Sequence, residues 1–530
     1  MKAGRIILSL ALCAALLSSC DKDKGYTYQK KDPSDNTEQQ KVQTEQAKQR
    51  SYVNDFAYVY MSQLYLWADE IKSGLAAWKN AYTTKPENVD PVAKVDELKH
   101  SYDRWSFLTD DFASFTSEVA GVSTTFGYDL KFYYYDSSKN TVCAVILYVY
   151  ADSPAAKAGL ERGDAIVKVN NKQMTTSNYV DIYNSYLSGS SPCDFEVQKH
   201  GHSQLTKISM SPVEMYENPV LMHKVFDVAG KKVGYLAYTS FTLDSIEDLK
   251  AVASDFKSQG VTELILDLRY NGGGYVITEM ALAAMLAPEG IIGDASGKGG
   301  EVYEKSVYNS SQMKGLSDED ITDYFTQVMS DGNGGYYYNT VGCNMNLKKI
   351  YAIMTSGTAS ASESVIVGLK PYMDIQIIGE PKSEGSVFCS HGKFCTGGMY
   401  GAEDFVKHNE ESYGTKYAEA LKYVRNWGLY LMFARYTDKN GDCPVMPEGF
   451  QWNVKSVDTP DDGIQLGDEN EVMLKAALAC AAGNEGTKAA EPLSEGLMQP
   501  LERQIEKPSF GLRISHRGLP VLKDRGFIAE

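Results

Sequence analysis

Residues 349–380 read KIYAIMTSGTASASESVIVGLKPYMDIQIIGE, an apolar run, a hydroxyl-rich segment and a second apolar run. Ile350–Met354 is apolar and of strand length, and a Thr-Ser-Gly turn ends it. Residues 359–369 are small or helix-forming, and the second apolar run, Asp374–Ile378, stops at a glycine. The pattern predicts a strand–helix–strand unit in an α/β protein, with the Ala-Ser-Ala-Ser-Glu cluster of residues 359–363 in the first helical turn.

This cluster is a candidate site for acyl-transfer chemistry. A serine hydroxyl at a helix start faces unpaired backbone N–H groups and the positive end of the helix dipole, which favour an oxyanion. The small neighbours leave room for the backbone of a substrate. The same residues also suit an ordinary helix cap, so the cluster alone does not distinguish the two roles.

A glycine run follows another buried strand. Leu264–Leu268 is apolar, and Arg-Tyr-Asn-Gly-Gly-Gly comes directly after it at residues 269–274. A glycine run after a strand can bind phosphate, but no Gly-Lys-Ser/Thr follows, so the P-loop interpretation fails.

Length and charge limit the classes of function. A chain of 530 residues predicts two to four domains, and 43% hydrophobic and 23% charged residues are typical of a globular protein. The net charge of −17, without a basic block, argues against nucleic acid or an anionic membrane surface as the main partner.

The N-terminus has the pattern of a bacterial lipoprotein signal. Lys2 and Arg5 precede the apolar segment Ile6–Leu17, which is too short to span a bilayer, and Leu-Ser-Ser-Cys20 then resembles a lipobox. Lipidation of Cys20 would anchor the mature chain outside the cytoplasm. The polar segment of residues 20–50 is predicted to be a disordered tether.

The nine cysteines are too sparse for a disulfide framework. Cys389 and Cys395 flank a histidine, but these three potential ligands have no second cluster with zinc-site spacing, so no metal is predicted. The pair is expected to be two free thiols or a disulfide.

Residues 122–212 resemble a PDZ domain. The string Ser-Pro-Ala-Ala-Lys-Ala-Gly-Leu at 153–160, followed by Arg-Gly-Asp-Ala-Ile, carries this resemblance. Such domains bind an extended peptide by strand addition, and the loop Gly127-Tyr128-Asp129-Leu130 would hold its terminal carboxylate. Asp129 departs from the expected Gly-apolar-Gly-apolar pattern, and its charge opposes a bound carboxylate. The alternative is a PDZ domain that serves only as a spacer or gate.

The remaining boundaries come from periodicity and composition. Apolar residues at helical spacing from Val53 predict a small helical domain over 51–118. Residues 225–482 form the predicted α/β core, with a Gly-, Ser- and Tyr-rich insertion at 290–346 that would border a substrate cleft. Residues 483–530 are interpreted as a tail of unknown structure.

The core motifs resemble peptidase family S41, the carboxy-terminal-processing or tail-specific serine proteases. Thr-Ala-Ser-Ala-Ser-Glu and Leu-Asp-Leu-Arg-x-Asn-x-Gly-Gly carry the resemblance. It implies a crotonase-like ββα core, with Ser360 as nucleophile and the N–H groups of Gly273 and Ala361 as the oxyanion hole. It also implies a peptide or unfolded-protein substrate and no cofactor.

The general base departs from this family pattern. The family lysine, about 25 residues after the serine, falls here at Gly385. Lys382 lies three residues earlier and Lys393 eight residues later, and we take Lys382 as the candidate base, returned to the site by a bulge or loop. No histidine lies in the setting that the His-dependent S41 arrangement requires, and a catalytic His100 has little support.

Two functions therefore remain open. The first is a lipid-anchored serine endopeptidase that cleaves extracytoplasmic polypeptides near a C-terminus. The second is a catalytically impaired S41-like protein that binds peptides or partners through its PDZ groove and cleft.

Overall fold

We describe a computed structural model of the protein, which covers residues 33–189, 191–484, 498–505 and 511–512. Backbone contacts divide the chain into two units, residues 1–47 and residues 48–530. The predicted signal sequence and Cys20 lie outside the described residues. Within the described part of the chain, no helix is both long and apolar enough to cross a membrane.

Helices form the N-terminal region. They are α1 (Pro33–Gln63), α2 (Lys72–Thr84), α3 (Pro91–Leu98) and α4 (Phe112–Val119), with the short strand β1 (Phe107–Thr109) before α4. The buried Asn54 joins α1 to its neighbours, because it accepts a 2.7 Å hydrogen bond from the Trp78 indole and donates to Val89 O at 3.2 Å. The predicted helical domain is confirmed. The predicted disordered tether is wrong from Pro33 onward, because a run rich in Glu, Gln and Lys favours helix and α1 begins there.

A six-stranded sheet and a two-stranded pair follow in the region of the predicted PDZ domain. Its elements are β2 (Val122–Thr125), β3 (Tyr128–Tyr134), β4 (Val142–Val149), α5 (Pro154–Lys157), β5 (Ala165–Val169), β6 (Lys172–Gln173), α6 (Tyr179–Ile182), β7 (Cys193–Gln198), β8 (Leu205–Met210) and β9 (Val213–Tyr216). The sheet order is β3-β4-β5-β7-β8, with β6 beside β5, and its core includes Phe132, Ile166 and Phe195. The first and last strands of this region, β2 and β9, pair with each other in antiparallel fashion.

The first sheet of the α/β core holds both predicted catalytic motifs. Its strands are β10 (Val220–Val228), β11 (Lys231–Tyr238) and β12 (Glu263–Asp267), and further along the chain β18 (Lys349–Met354), β19 (Asp374–Gly379) and β22 (Val454–Lys455). The order is β10-β11-β12-β18-β19-β22, and every pair except β10–β11 is parallel. Parallel neighbours β12 and β18 end at the same edge, so the loops that follow them meet there.

The second sheet lies across the core helices. Its strands are β13 (Gly274–Tyr275), β14 (Val302–Tyr308), β15 (Thr322–Tyr324), β20 (Cys395–Gly401), β21 (Gly428–Thr437) and β23 (Gly511–Leu512), in the order β13-β23-β20-β21-β14-β15, with β1 beside β21. The predicted insertion is therefore partly a sheet component, since β14 pairs with β21. The hairpin β16 (Val328–Ser330) and β17 (Tyr336–Asn339) stands apart from it.

The helices of the core are α7 (Ser245–Ser258), α8 (Val276–Leu286), α9 (Ser310–Met313), α10 (Ala361–Leu369), α11 (Ala402–His408), α12 (Glu410–Tyr413), α13 (Tyr417–Val424) and α14 (Val472–Ala481). Every residue of α8 and α10 is buried. The predicted unit of β18, α10 and β19 is confirmed to within one or two residues.

Candidate active site

Ser360 lies at the start of α10 in a strained conformation. Its φ of 58° and ψ of −118° are costly for a residue with a Cβ, by about 1–3 kcal/mol. Such a conformation persists only where the surroundings hold it, and it is often found at functional sites. Ala361, the next residue, is the first of the helix, so its N–H has no intrahelical acceptor and is available to a ligand.

Asn271 fastens the glycine loop to this helix start. Its main-chain carbonyl oxygen accepts from Ala359 N–H and from the Ser362 hydroxyl, both at 3.0 Å, and its side-chain amide donates to Tyr238 O. These bonds place the loop after β12 against the loop after β18. The predicted nucleophile and the predicted oxyanion loop are therefore neighbours in space.

Gly273 is differently arranged from the sequence expectation. Its N–H donates to the side-chain oxygen of Asn271 at 2.9 Å, closing a tight turn within the loop. Gly273 has φ of 106°, which favours glycine at this turn. An oxyanion would have to displace the Asn271 oxygen, and the oxyanion role of Gly273 stays a prediction.

The Glu363 carboxylate joins the serine to a lysine that lies far along the chain. Its Oε2 atom accepts hydrogen bonds from Ser360 N at 3.1 Å and from Lys393 N at 2.8 Å. Its Oε1 atom accepts from Gly392 N at 2.7 Å and from the Ser390 hydroxyl. The backbone nitrogens of Ser360 and Lys393 share one acceptor atom, so they lie within about 6 Å of each other. Burial raises the pKa of Glu363, and these donors oppose the rise.

Lys393 is the buried cationic side chain of this site. Its residue is 0% exposed, its amine donates to the Tyr430 hydroxyl at 3.1 Å, and the amine lies 5.3 Å from the ring centroids of both Trp105 and Tyr430. Burial lowers the pKa of Lys393 to about 8, although the charges of Cys395, Asp103 and Glu363 act in the opposite direction. A lysine in this range is partly neutral near physiological pH and can accept a proton.

Lys382 and His391 are the other basic groups near the helix start. The Lys382 amine donates to the carbonyl oxygens of His391 and Glu448 at 3.2 and 3.0 Å, and burial, then Arg104, lowers its pKa. The burial of Lys382 is only partial, since much of the residue is exposed, whereas Lys393 is fully buried. Burial lowers the pKa of His391 to about 4, which makes its imidazole a weak base.

Lys393 is a buried lysine that the sequence analysis named but did not select as a site residue. The family lysine directly follows a Gly-Glu-x-Thr-x-Gly segment, and Gly392-Lys393 is a glycine–lysine pair eight residues beyond the expected position. The intervening residues include Phe388, which forms a β-bridge with Gln451, and Ser390, whose hydroxyl donates to Glu363.

Cys389 and Cys395, on either side of Lys393, are buried free thiols. Burial raises the pKa of both, to about 12 for Cys389. Over the described ranges no group of three His, Cys, Asp or Glu side chains is arranged to hold a metal ion.

A buried ion cluster lies beneath the glycine loop and reaches the PDZ region. Arg269 donates to Asp267, Asp458 and Glu471, and Arg162, which follows α5, donates to Asp458 at 2.7 Å. The Arg162 guanidinium also donates to the hydroxyl of Tyr270, a residue of the glycine loop, at 2.6 Å. Although burial acts in the opposite direction, the two arginines hold the pKa of Asp458 well below its usual range.

In the predicted carboxylate loop of the PDZ region, residues 127–130, two backbone N–H groups already have hydrogen-bond acceptors. The Asp129 side chain accepts from Leu130 N–H at 2.7 Å, and Gly127 N–H donates to the Thr125 hydroxyl at 2.9 Å. Tyr128 lies in β3 and pairs with Val149. Two of the amides that would bind a terminal carboxylate are thus already paired, and the carboxylate-binding role stays a prediction.

Comparisons with known proteins give family matches for two regions of the chain. Residues 232–455 match the model of peptidase family S41, and residues 145–184 match a PDZ domain model. The chain is 27% identical over 168 residues to the chloroplastic C-terminal processing peptidase of Tetradesmus obliquus, covering 29% of this chain and 36% of that protein. It is 23% identical over 270 residues to the chloroplastic carboxyl-terminal-processing peptidase 2 of Arabidopsis thaliana, covering 50% and 45%.

The fold also matches a solved structure. A crystal structure of a candidate S41 protease from Bacteroides fragilis NCTC 9343 superposes with a TM-score of 0.57 at 21% identity, over 81% of this chain and 97% of that one. The matching segments of the two chloroplast relatives are less than half of their length. Residues 232–455 are thus similar to the S41 serine peptidases, and a region similar to a PDZ domain precedes them.

Proposed function

We propose that the protein is a serine endopeptidase of the C-terminal-processing class, with Ser360 as nucleophile and Lys393 as general base. The observation that carries this proposal concerns the Glu363 carboxylate. Its Oε2 atom accepts hydrogen bonds from the backbone N–H groups of both residues. Lys393 replaces Lys382 as the favoured base, since it is fully buried with a pKa near 8 while the Lys382 amine is engaged by two carbonyl groups.

The reaction follows from these positions. Lys393 takes the proton of the Ser360 hydroxyl as Ser360 Oγ attacks the carbonyl carbon of the scissile peptide bond. The oxyanion receives the Ala361 N–H and a second donor from the glycine loop, for which Gly273 is the candidate. The lysine ammonium then protonates the leaving amine. Water, deprotonated by Lys393, hydrolyses the acyl-enzyme and releases the new carboxylate.

The relatives and the leader sequence support the proposed substrate class and location. Two relatives are named C-terminal processing peptidases, so unfolded or extended polypeptides are the proposed substrates. Cys20 as a lipidation site would place the activity in the bacterial cell envelope, outside the cytoplasm.

The test is cleavage of an unfolded protein by the purified chain, followed by mass spectrometry. The parent is compared with Ser360→Ala, Lys393→Met, Lys382→Met and His391→Gln, each checked for a cooperative thermal transition. We expect cleavage to be lost with Ser360→Ala and Lys393→Met and retained with the other two. Cleavage that survives Ser360→Ala, or that is lost with Lys382→Met alone, would contradict the assignment. Absence of cleavage in every folded form would favour the peptide-binding alternative.

A further inference from the structure

The tail of the chain returns to the PDZ region and pairs with β3. Tyr134 N–H donates to Gln499 O at 2.9 Å, and Leu501 N–H donates to Phe132 O at 3.0 Å. Tyr133 and Pro500 form an antiparallel bridge between these bonds. Residues 499–501 therefore extend the PDZ sheet by one strand beyond β3, which is the way a peptide ligand adds to such a sheet.

Side chains of this segment fill the groove between β3 and α6, which we call the PDZ groove. Leu501 is 6% exposed and packs with the PDZ core, and Ile505 packs against the same core. The Gln504 side chain accepts from Phe132 N–H and donates to Phe132 O, both at 2.8 Å. The Tyr179 hydroxyl, on α6, donates to Arg503 O at 3.0 Å. Both β3 and α6, which border the groove, therefore form hydrogen bonds with the protein's own tail.

The way the tail binds agrees with the state of the carboxylate loop. The tail runs antiparallel to β3, from Tyr134 toward the loop of residues 127–130. The chain continues beyond this segment to Glu530, so the segment presents no terminal carboxylate to the loop. The Leu130 N–H that such a carboxylate would need is already paired with Asp129. The groove as built suits an internal segment of a chain.

A second part of the tail lies beside the candidate active site. Strand β23, Gly511–Leu512, pairs in parallel with β13 at Gly274 and Tyr275, and Leu512 pairs with Gly397 of β20. Strand β13 directly follows Gly273 of the glycine loop, and β20 begins two residues after Lys393. Strand β23 therefore occupies backbone groups of β13 and β20 to which another extended segment could otherwise add.

We propose that residues 498–505 and strand β23 act as an intramolecular ligand. Residues 499–505 fill the PDZ groove, β23 occupies the cleft, and the ligand restrains the protein until it is displaced. The cleft half of this proposal rests on the proposed peptidase function, whereas the PDZ half does not. Because the ligand is tethered, its effective concentration is roughly millimolar, so a free peptide competes poorly with it.

The binding test uses a labelled, C-terminally amidated peptide of residues 498–505 and fluorescence polarisation. All proteins carry Ser360→Ala, so the probe is not cut. The full chain is compared with a Leu501→Asp/Gln504→Ala form, which weakens the resident tail, and with Glu502→Ala, whose exposed side chain makes it the matched control. A chain that ends at Asn484 provides a second displaced form, and thermal transitions verify folding.

We expect the displaced forms to bind the peptide at least tenfold more tightly than the full chain and the Glu502→Ala control. Equal affinities in all forms, or no binding by a folded displaced form, would overturn the PDZ half. The cleft half is tested with active Ser360 in a chain that ends at Ile505, which keeps the groove segment and removes β23. We expect cleavage of an unfolded protein to rise at least tenfold, and unchanged cleavage would overturn it. Tighter peptide binding in a protein that cleaves nothing in any form would support the PDZ half and contradict the peptidase function instead.

Discussion

The molecule buries cationic side chains in two contrasting ways, around Arg269 and around Lys393. Arg269 is 1% exposed and is surrounded by the carboxylates of Asp267, Asp458 and Glu471, which keep its charge. Lys393 is 0% exposed and lies between aromatic rings, where burial outweighs the nearby charges and lowers its pKa to about 8. Burial with ion partners ties Arg269 to Asp458 and Glu471, whereas burial against aromatic rings lowers the pKa of Lys393.

The largest expected effect is on catalysis at the lysine. Lys393→Met keeps most of the side-chain volume and removes the proton acceptor, so kcat/KM should fall by about 10³ or more. Lys382→Met should change kcat/KM less than tenfold, because the Lys382 amine donates to the carbonyl groups of His391 and Glu448. Steady-state kinetics with a fluorogenic peptide measures both, and equal losses in the two variants would remove the distinction between the lysines.

The next effect is on stability at the arginine. Arg269→Met leaves three carboxylates buried without their shared partner, and we expect a loss of about 3–5 kcal/mol in the free energy of unfolding. Urea unfolding at pH 7 measures it, with the exposed Arg425→Met as the control. A loss below about 1 kcal/mol would mean that the cluster does not hold the loop.

The lysine should have the opposite effect on stability. The unfolded chain holds its Lys393 proton up to the ordinary lysine pKa of 10.5, while the folded chain loses it near pH 8. Burial of the charge therefore costs stability fully below pH 8, and this cost disappears as the pH rises from 8 to 10.5. Lys393→Met should be more stable than the parent at pH 7, by up to about 3 kcal/mol, and should lose this pH dependence.

Urea unfolding between pH 6.5 and 10.5 provides the measurement, with the exposed Lys416→Met as the control. A Lys393→Met protein that is destabilised across this range would show that the lysine is held by ion pairing, as Arg269 is.

The smallest effect concerns the hydroxyl that accepts from the lysine. The parent kcat/KM should rise with an apparent pKa near 8 as Lys393 loses its proton. Tyr430→Phe removes the acceptor at 3.1 Å that favours the ammonium, so the profile should move to lower pH by about 0.5–1 unit. A profile that keeps its midpoint in Tyr430→Phe would assign the titration to another group.

Local sequence patterns predicted most of the fold. The apolar runs around Ser360 predicted β18, α10 and β19, and the Ser-Pro-Ala-Ala string predicted the turn of α5 inside a PDZ domain. These elements depend on periodicity and turn chemistry within a few residues, which a sequence displays directly. The helix α1 was misjudged before residue 51 because polar composition suits a tether and a charged helix alike.

The sequence by itself determined the nucleophile candidate, the glycine loop and the family resemblance, since each is a contiguous motif. Only the tertiary structure showed that the backbones of Ser360 and Lys393 lie close together, because Glu363 accepts from N–H groups 33 residues apart in the chain. It also decided that Asn271 occupies Gly273 N–H and that the tail fills the PDZ groove. Desolvation and strand addition depend on what packs around a group, and distant segments of the chain supply those neighbours.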